Sequence, residues 1–384
     1  MKLAIVRQKY TPFGGAERFV ERAIGALLAQ GVDVEIIARE WKAPSTEAGA
    51  HPPVLRLNPI YAGRTWRDAS FALAVQRIML SGKYDVVQSH ERIPGCHIYR
   101  AGDGVHATWL DLRAAAPTSH ASMVRAGQFL SPWHNYVLGA EAAMFHHPDL
   151  RAVICNSRMV RDDIARRFEL AADKLHVIYN GVDLQQFHPN LRNEHYFEQR
   201  RKLGADGTAD FARPVMLFVG SGYRRKGLPT LLNAMSAMQR GDVQLWVVGR
   251  DKEEAAMRRL AQKLGIDHRV YFCGPQSDVR PFYAAANLFV LPTVYDPLPN
   301  AALEALACGL PVVTTPACGV AELLTPACGR VVAAHDASAL AQSLDELCID
   351  GQADAMHRAA RRSVEHLDLN GMAQKMLDIY KGLS

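Results

Sequence analysis

The sequence predicts an α/β protein of two doubly wound domains, each a parallel sheet with helices on its faces. Three observations predict it. Short β-branched runs bounded by turn residues alternate with longer stretches of helical periodicity, the rhythm of βαβ units. That rhythm runs once, breaks at a polar, charged stretch over residues 187–213, and then restarts. The chain's 384 residues also exceed what one hydrophobic core usually organises.

In chain order, residues 3–7 read as a first strand, because the apolar run Leu3-Ala4-Ile5-Val6 is cut by Arg7 and Lys9 and is too short for the core of a signal peptide. A helix over 16–30 and strands over 33–38 and 84–89 follow. Val177-Ile178-Tyr179-Asn180-Gly181-Val182-Asp183 reads as a strand running into a turn, which sets the domain boundary near Asn180. The second series has strands over 215–220, 243–249, 270–273, 288–291 and 311–315, with helices over 229–239 and 253–264 between them. A last helix over 371–383 follows a domain that reads as complete by His366, and is expected to cross back onto the first. The expected domains are therefore 1–179 with the helical segment 368–384, and 180–367.

Composition excludes several classes. Hydrophobic residues make up 49% and charged residues 22%, ordinary for a globular chain, so disorder is not expected. A net charge of +5 suits phosphate-bearing ligands or an anionic membrane surface without indicating either. No run of about 18 apolar residues occurs, so no spanning helix is expected. The seven cysteines are odd in number and dispersed, with no Cys-x-x-Cys, which argues for reduced thiols and a cytoplasmic location rather than disulfides or zinc. No basic run or nucleic-acid-reading module stands out, and no nucleic-acid partner is expected.

Gly220-Ser221-Gly222-Tyr223-Arg224-Arg225-Lys226-Gly227 follows an apolar strand and precedes a helix with Pro229 at an early position. A strand-to-helix turn aims backbone N–H groups at a bound anion. Arg225 and Lys226 add the charge that stabilises a diphosphate, bound or leaving. A solvated basic turn is the alternative. Spacing disfavours NAD and ATP, since Arg225 stands where a dinucleotide fingerprint needs its third glycine and Leu228 where a P-loop needs lysine. A second glycine pair, Gly14-Gly15 with Arg18 beyond it, also lies between a strand and a helix; it reads as a phosphate approach or as a plain turn.

Further on, a strand ends, a proline-rich loop exposes Asp296, and a helix beginning near Pro299-Asn300 presents Glu304 about one turn in. Such carboxylates accept hydrogen bonds from sugar or ribose hydroxyls. Asp296 as a turn former and Glu304 as a surface helix residue are the plain alternatives.

These segments together resemble the family 4 retaining glycosyltransferases of the GT-B fold. The resemblance covers most of the chain. It rests on Gly14-Gly15-Ala16-Glu17-Arg18, Asn156-Ser157, Asn180-Gly181-Val182-Asp183 with Phe187 and Pro189, Arg225-Lys226-Gly227, and Asp296 to Glu304 followed by Ala307-Cys308-Gly309-Leu310-Pro311-Val312-Val313. The family pattern has two glutamates separated by seven residues; here the spacing is kept and the first is Asp296. The Tyr10-Thr11-Pro12-Phe13-Gly14-Gly15 and Ala101-Gly102-Asp103-Gly104-Val105-His106-Ala107 segments are most similar to those of the lipopolysaccharide core glucosyltransferase branch.

The resemblance implies two facing Rossmann-like domains with a cleft between them, the donor nucleotide on the C-terminal domain and the acceptor on the N-terminal one. It implies Glu304 at the ribose, and Asp296 with the loop backbone near Asn300 and Ala301 at the donor sugar. Gly222, Arg225 and Lys226 fall at the diphosphate, and Gly14, Gly15 and Arg18 at the approach from the first domain. Arg250, Pro275 and Gln276 lie near the base. Asp103 is the acceptor-side catalytic candidate and His106 the next; an isolated histidine is otherwise structural.

The expected chemistry is transfer of a hexose, with a UDP-sugar favoured as the substrate, to a glycan or lipid-linked acceptor in lipopolysaccharide core or other cell-surface glycan synthesis. No Asp-x-Asp occurs, so no metal and no further cofactor is expected. Arg113, Arg125, Phe129, Trp133, Tyr136 and Phe145 mix aromatic and basic side chains between Trp109 and His147. That stretch reads either as a face for the anionic inner leaflet of a bacterial inner membrane, making the protein peripheral, or as an inter-helix core with a solvated rim. Rival readings are a nucleotide-sugar 2-epimerase, and a non-catalytic nucleotide-sugar-binding subunit of a glycan assembly complex.

Overall fold

Parallel strands covered on both faces read as mainly apolar runs, and most strand runs of this chain do. The computed structural model describes residues 1–10, 24–25, 27–28, 31–41, 52–115, 127–128, 130–348 and 353–383. The chain divides into two units, Met1–Gly181 with Leu369–Ser384, and Val182–Asp368.

In the first unit the strands are β1 (Lys2–Val6), β2 (Lys9–Tyr10), β3 (Asp33–Ala38), β4 (Glu40–Trp41), β5 (Val54–Arg56), β6 (Val86–Ser89), β7 (Ile98–Ala101), β8 (Ala152–Cys155) and β9 (Leu175–Val177). Among the described residues they form a parallel sheet in the order β5-β3-β1-β6-β7-β8-β9, with β2 and β4 paired separately. Strand order reverses between β1 and β6, and crevices outside the carboxyl ends of such strands are where α/β folds hold ligands. Leu3, Ile5, Val34, Ile36, Val86 and Ile98 build one core layer. The C-terminal helix Leu369–Leu383 completes it, with Met372, Met376 and Tyr380 recurring every fourth residue on its buried face. Tyr380 also donates through its hydroxyl to Gln88 Oε1 at 2.7 Å.

The second unit contains β10 (Val215–Val219), β11 (Gln244–Val248), β12 (Val270–Gly274), β13 (Leu288–Leu291), β14 (Val312–Thr314) and β15 (Gly329–Val331), in the order β12-β11-β10-β13-β14-β15. All neighbours are parallel, and the reversal here lies between β10 and β13, which register Met216 against Leu288 and Leu217 against Phe289. This switch point positions the site described below.

The polar stretch after the boundary is not a simple connector. It holds the helix Leu191–Lys202 and the short helix Thr208–Ala212. The buried Arg200 ties them to the sheet, donating to the carbonyls of Ala285, Phe211 and Arg213 and to Asn287 Oδ1. A buried arginine satisfied by four acceptors is invisible to hydropathy. The expected helix over 16–30 falls largely outside the described residues. No helix among the described residues is long and apolar enough to cross a membrane.

Candidate functional site

The loop after β10 and the loop after β13 leave the two strands that flank the switch point, so their side chains meet there although about 70 residues separate them. Lys226 Nζ donates to Asp296 Oδ2 at 2.8 Å, and Arg225 Nη1 donates to the same oxygen at 3.3 Å and to the Tyr295 carbonyl at 3.0 Å. Lys226 and Asp296 are 8% and 7% exposed. Burial alone would raise the Asp296 pKa; Lys226 and then Arg225 outweigh it and hold the carboxyl below the ordinary aspartate range.

The loops are also stitched through their backbones. Val294 N–H and Thr293 Oγ1 donate to the Arg225 carbonyl at 2.8 and 2.9 Å, and Asp296 exchanges backbone hydrogen bonds with Ala317 and Gly319. Gly227 sits at φ +78°, where an added Cβ would fall 1.9 Å from the Pro292 carbonyl oxygen; only glycine permits this approach. Gly249, at φ +136°, abuts the Gly220 carbonyl in the same way at 2.3 Å.

Gly222 is part of the loop, but its N–H already has an anionic partner. Gly222 N–H and Tyr223 N–H donate to Asp251 Oδ2 at 2.7 and 3.2 Å, and Arg224 pairs with Glu253. The loop is thus held from beneath by a carboxylate that sequence reasoning did not single out. The signal was present as an acid three residues past the end of β11, in Gly249-Arg250-Asp251.

Glu304 lies on the helix Asn300–Ala307, which begins at Pro299 and buries Ala302 to Ala307. It is 8% exposed, and Tyr283 donates through its hydroxyl to Glu304 Oε2 at 3.0 Å and to the Ala301 carbonyl at 3.1 Å. Asn300 and Ala301 occupy the first turn of that helix, where N–H groups lack intrahelical acceptors. The plain reading of Glu304 as a surface residue does not hold. Arg250 is exposed beyond β11, and Pro275 and Gln276 are exposed beyond β12, with Gln276 Nε2 donating to the Cys273 carbonyl at 2.7 Å. These three stand at the carboxyl ends of β11 and β12, on the β11 side of β10, apart from the Lys226–Asp296 contact.

In the first unit, Asp103 is exposed in the turn after β7. His106 opens the helix His106–Ala115 and is buried, its Nε2 3.1 Å from His134 Nδ1. Burial, followed by Arg92, His134 and Arg64, pushes its pKa down to about 3. The helix start is capped by a distant carboxylate. Glu141, 1% exposed, accepts from the N–H groups of His106 and Ala107 at 2.9 and 3.3 Å and from Arg92 Nε at 2.8 Å. Glu141 was legible in principle as the one charge in an apolar helical run, a placement that needs a partner. Phe145 belongs to the core with Tyr99 and Phe168, so the aromatic stretch is in part interior. Gly14, Gly15, Arg18, Arg125 and Phe129 lie outside the described residues. Among the described residues no group of three His, Cys, Asp or Glu side chains is placed to hold a metal ion.

The profile of glycosyltransferase family 4 matches residues 13–186, and that of the glycosyl transferases group 1 matches residues 213–350. The chain belongs to the family 4 glycosyltransferases. Its two sheets are those of the GT-B fold: a crystal structure of the lipopolysaccharide-biosynthesis glycosyltransferase WaaG superposes with a TM-score of 0.82 at 24% identity, over 99% of this chain and 100% of that one. The lipopolysaccharide glucosyltransferase WaaG of Escherichia coli is 24% identical over 324 residues, 82% of this glycosyltransferase and 80% of its own length. The lipopolysaccharide core biosynthesis glycosyltransferase LpsE of Rhizobium meliloti is 41% identical over 102 residues, 27% of this chain and 29% of that. Anabaena HepE in complex with UDP-glucose has the same architecture, with a TM-score of 0.71 at 19% identity over the full length of both chains.

Proposed function

We propose that this glycosyltransferase moves a hexose from a UDP-sugar to a glycan or lipid-linked acceptor with retention of anomeric configuration and without a metal ion, in lipopolysaccharide core or other cell-surface glycan assembly. The observation that carries the reading is the convergence of Lys226 and Arg225 on Asp296 at the switch point of the second unit. Two cations there suit a diphosphate, bound and leaving, and their present partner is a carboxylate that the diphosphate competes with. Glu304, steadied by Tyr283, takes the ribose hydroxyls. Asp296, freed from part of its ion pairing, takes a donor-sugar hydroxyl, while Asn300 and Ala301 offer backbone N–H groups.

In this mechanism the bond from the anomeric carbon to the phosphate oxygen breaks as the acceptor oxygen bonds that carbon on the same face. The acceptor's proton passes to the departing phosphate oxygen, and UDP leaves. The second unit mainly positions the donor and stabilises its charge. Asp103, with His106 beside it, supplies the acceptor side of the first unit. Support for UDP and for a cell-surface product comes from the names of HepE's ligand and of WaaG and LpsE.

A thermal-shift screen of UDP, GDP and ADP, followed by hydrolysis of the responding nucleotide's sugars, tests the reading. UDP is expected to raise Tm most, and hydrolysis to survive EDTA. Loss of activity in chelator with recovery on added metal would refute the metal-free mechanism, and a response to GDP or ADP alone would refute the donor.

A further inference from the structure

Two helices of the first unit, His106–Ala115 and Pro132–Phe145, bring two indoles and two imidazoles into one cluster, and a third, Gly63–Met79, lays Arg64 on it. The His106 ring centroid lies 5.2 Å from that of His134, 5.3 Å from Trp133 and 5.5 Å from Trp109, and Trp133 and His134 are 4.9 Å apart. Two guanidinium groups stack on the cluster. Arg64 Cζ is 3.3 Å from the centroid of Trp133, and Arg113 Cζ is 5.3 Å from that of Trp109. Both arginines are exposed, and neither forms an ion pair among the described residues.

The nearby acids are already engaged. Asp68 accepts from Arg67 Nε, Gln8 Nε2 and the Trp133 indole N–H, and Glu141 accepts from Arg92 and the start of the His106 helix. What remains is an excess of positive charge around His134, whose pKa is lowered by burial, then Arg113, then Arg64. A guanidinium that spends its face on an indole keeps its N–H edge for an oxyanion. His134 Nδ1 is held by His106, and its Nε2 has no partner among the described residues. The cluster stands just beyond the carboxyl end of β7, the ligand side of a parallel sheet.

We propose that Arg64, His134 and Arg113 form an oxyanion subsite that takes a phosphate group carried by the acceptor saccharide. The proposal rests on reading the first unit as the acceptor side. An oxyanion at His134 Nε2 keeps the hydrogen on that nitrogen. His134 Nδ1 then accepts from His106 Nε2–H, and the lone pair of His106 is left on Nδ1. The phosphate thereby sets the tautomer of His106, three residues along the chain from Asp103.

The test is an NMR titration of the full-length chain carrying 15N-labelled tryptophans, with inorganic phosphate, a hexose 6-phosphate, phosphatidylglycerol vesicles and UDP as separate probes. Both soluble phosphates are expected to give saturable shifts of the Trp109 and Trp133 indole signals, the hexose phosphate at lower concentration. Arg64→Gln with Arg113→Gln is expected to weaken both at least about ten-fold while the UDP response persists. Absence of any shift, shifts unchanged in the double variant, or a response to vesicles with none to hexose phosphate each overturn the subsite. Should the double variant lose the UDP response as well, the two single variants, each at an exposed side chain, decide on the same criterion. Phosphate-induced shifts in a wild-type chain that ignores UDP would leave the subsite standing and sink the donor reading instead.

Discussion

Lys226 Nζ and Asp296 Oδ2 lie 2.8 Å apart with both residues buried, although they belong to different loops and to opposite sides of the switch point between β10 and β13. The pair places the loop's cations and the first carboxylate of the family's spaced pair in one contact.

Asp296→Asn leaves Lys226 buried without its counter-charge, and is expected to destabilise the second unit by about 3 kcal/mol, the usual size of breaking a buried ion pair. The same change frees both cations, so UDP is expected to bind at least as tightly while sugar transfer falls. Urea unfolding and calorimetric titration of the variant check the two halves. Weaker UDP binding with stability unchanged would show that Asp296 is not the competitor described.

Glu304→Gln separates ribose from diphosphate recognition. UDP affinity is expected to drop about ten-fold, near the worth of one charge-assisted hydrogen bond, with affinity for inorganic pyrophosphate unmoved. Equal losses for both ligands would remove Glu304 from the ribose and make it a structural partner of Tyr283.

Asp251→Ala deprives Gly222 N–H and Tyr223 N–H of their acceptor, and is expected to weaken UDP binding by about ten-fold by loosening the loop. Asp251→Asn keeps an acceptor oxygen and is expected to recover most of that loss. Calorimetric titration of both variants distinguishes positioning by the acceptor from an effect of charge alone.

Gly227→Ala is expected to cost several kcal/mol, because its Cβ collides with the Pro292 carbonyl at a positive φ. Gly204→Ala, also at positive φ (+91°) but with nothing within 4 Å, is expected to cost about 1 kcal/mol. Urea midpoints of the two variants give the comparison; similar costs would contradict the close approach of the two loops.

The buried His106 makes stability fall with acid. Its folded-state pKa of about 3 is below the ordinary histidine value near 6.5, so the unfolded chain binds a proton across that window that the folded chain refuses. Stability is therefore highest above about pH 6.5 and declines as pH falls toward 3. Replacing His106 by Asn should flatten that decline by at most about 1.4 kcal/mol per pH unit. Tm measured from pH 7 to 4 in both proteins provides the check.

Much of this architecture was readable as local pattern. The strands at 33–38 and 288–291 coincide with β3 and β13, and most others differ by a residue or two, because parallel strands buried on both faces are written as mainly apolar, β-branched runs. Three further features needed more than local pattern. The Lys226–Asp296 contact depends on which strands become neighbours, which no single segment encodes. Asp251 and Glu141 act through backbone N–H groups supplied by distant turns, so their own surroundings in sequence look unremarkable apart from one charge in an apolar run. Arg200 hides in a polar stretch because its four acceptors come from two segments, 211–213 and 285–287.

The central claim is that Arg225 and Lys226 hold the donor diphosphate, and calorimetric titration of UDP into the wild type and the Arg225→Ala, Lys226→Ala double variant tests it most directly. The account predicts a loss of about a hundred-fold in affinity, the worth of two charge-assisted contacts, in a variant that still unfolds cooperatively. A double variant that binds UDP within about three-fold of wild type would contradict it.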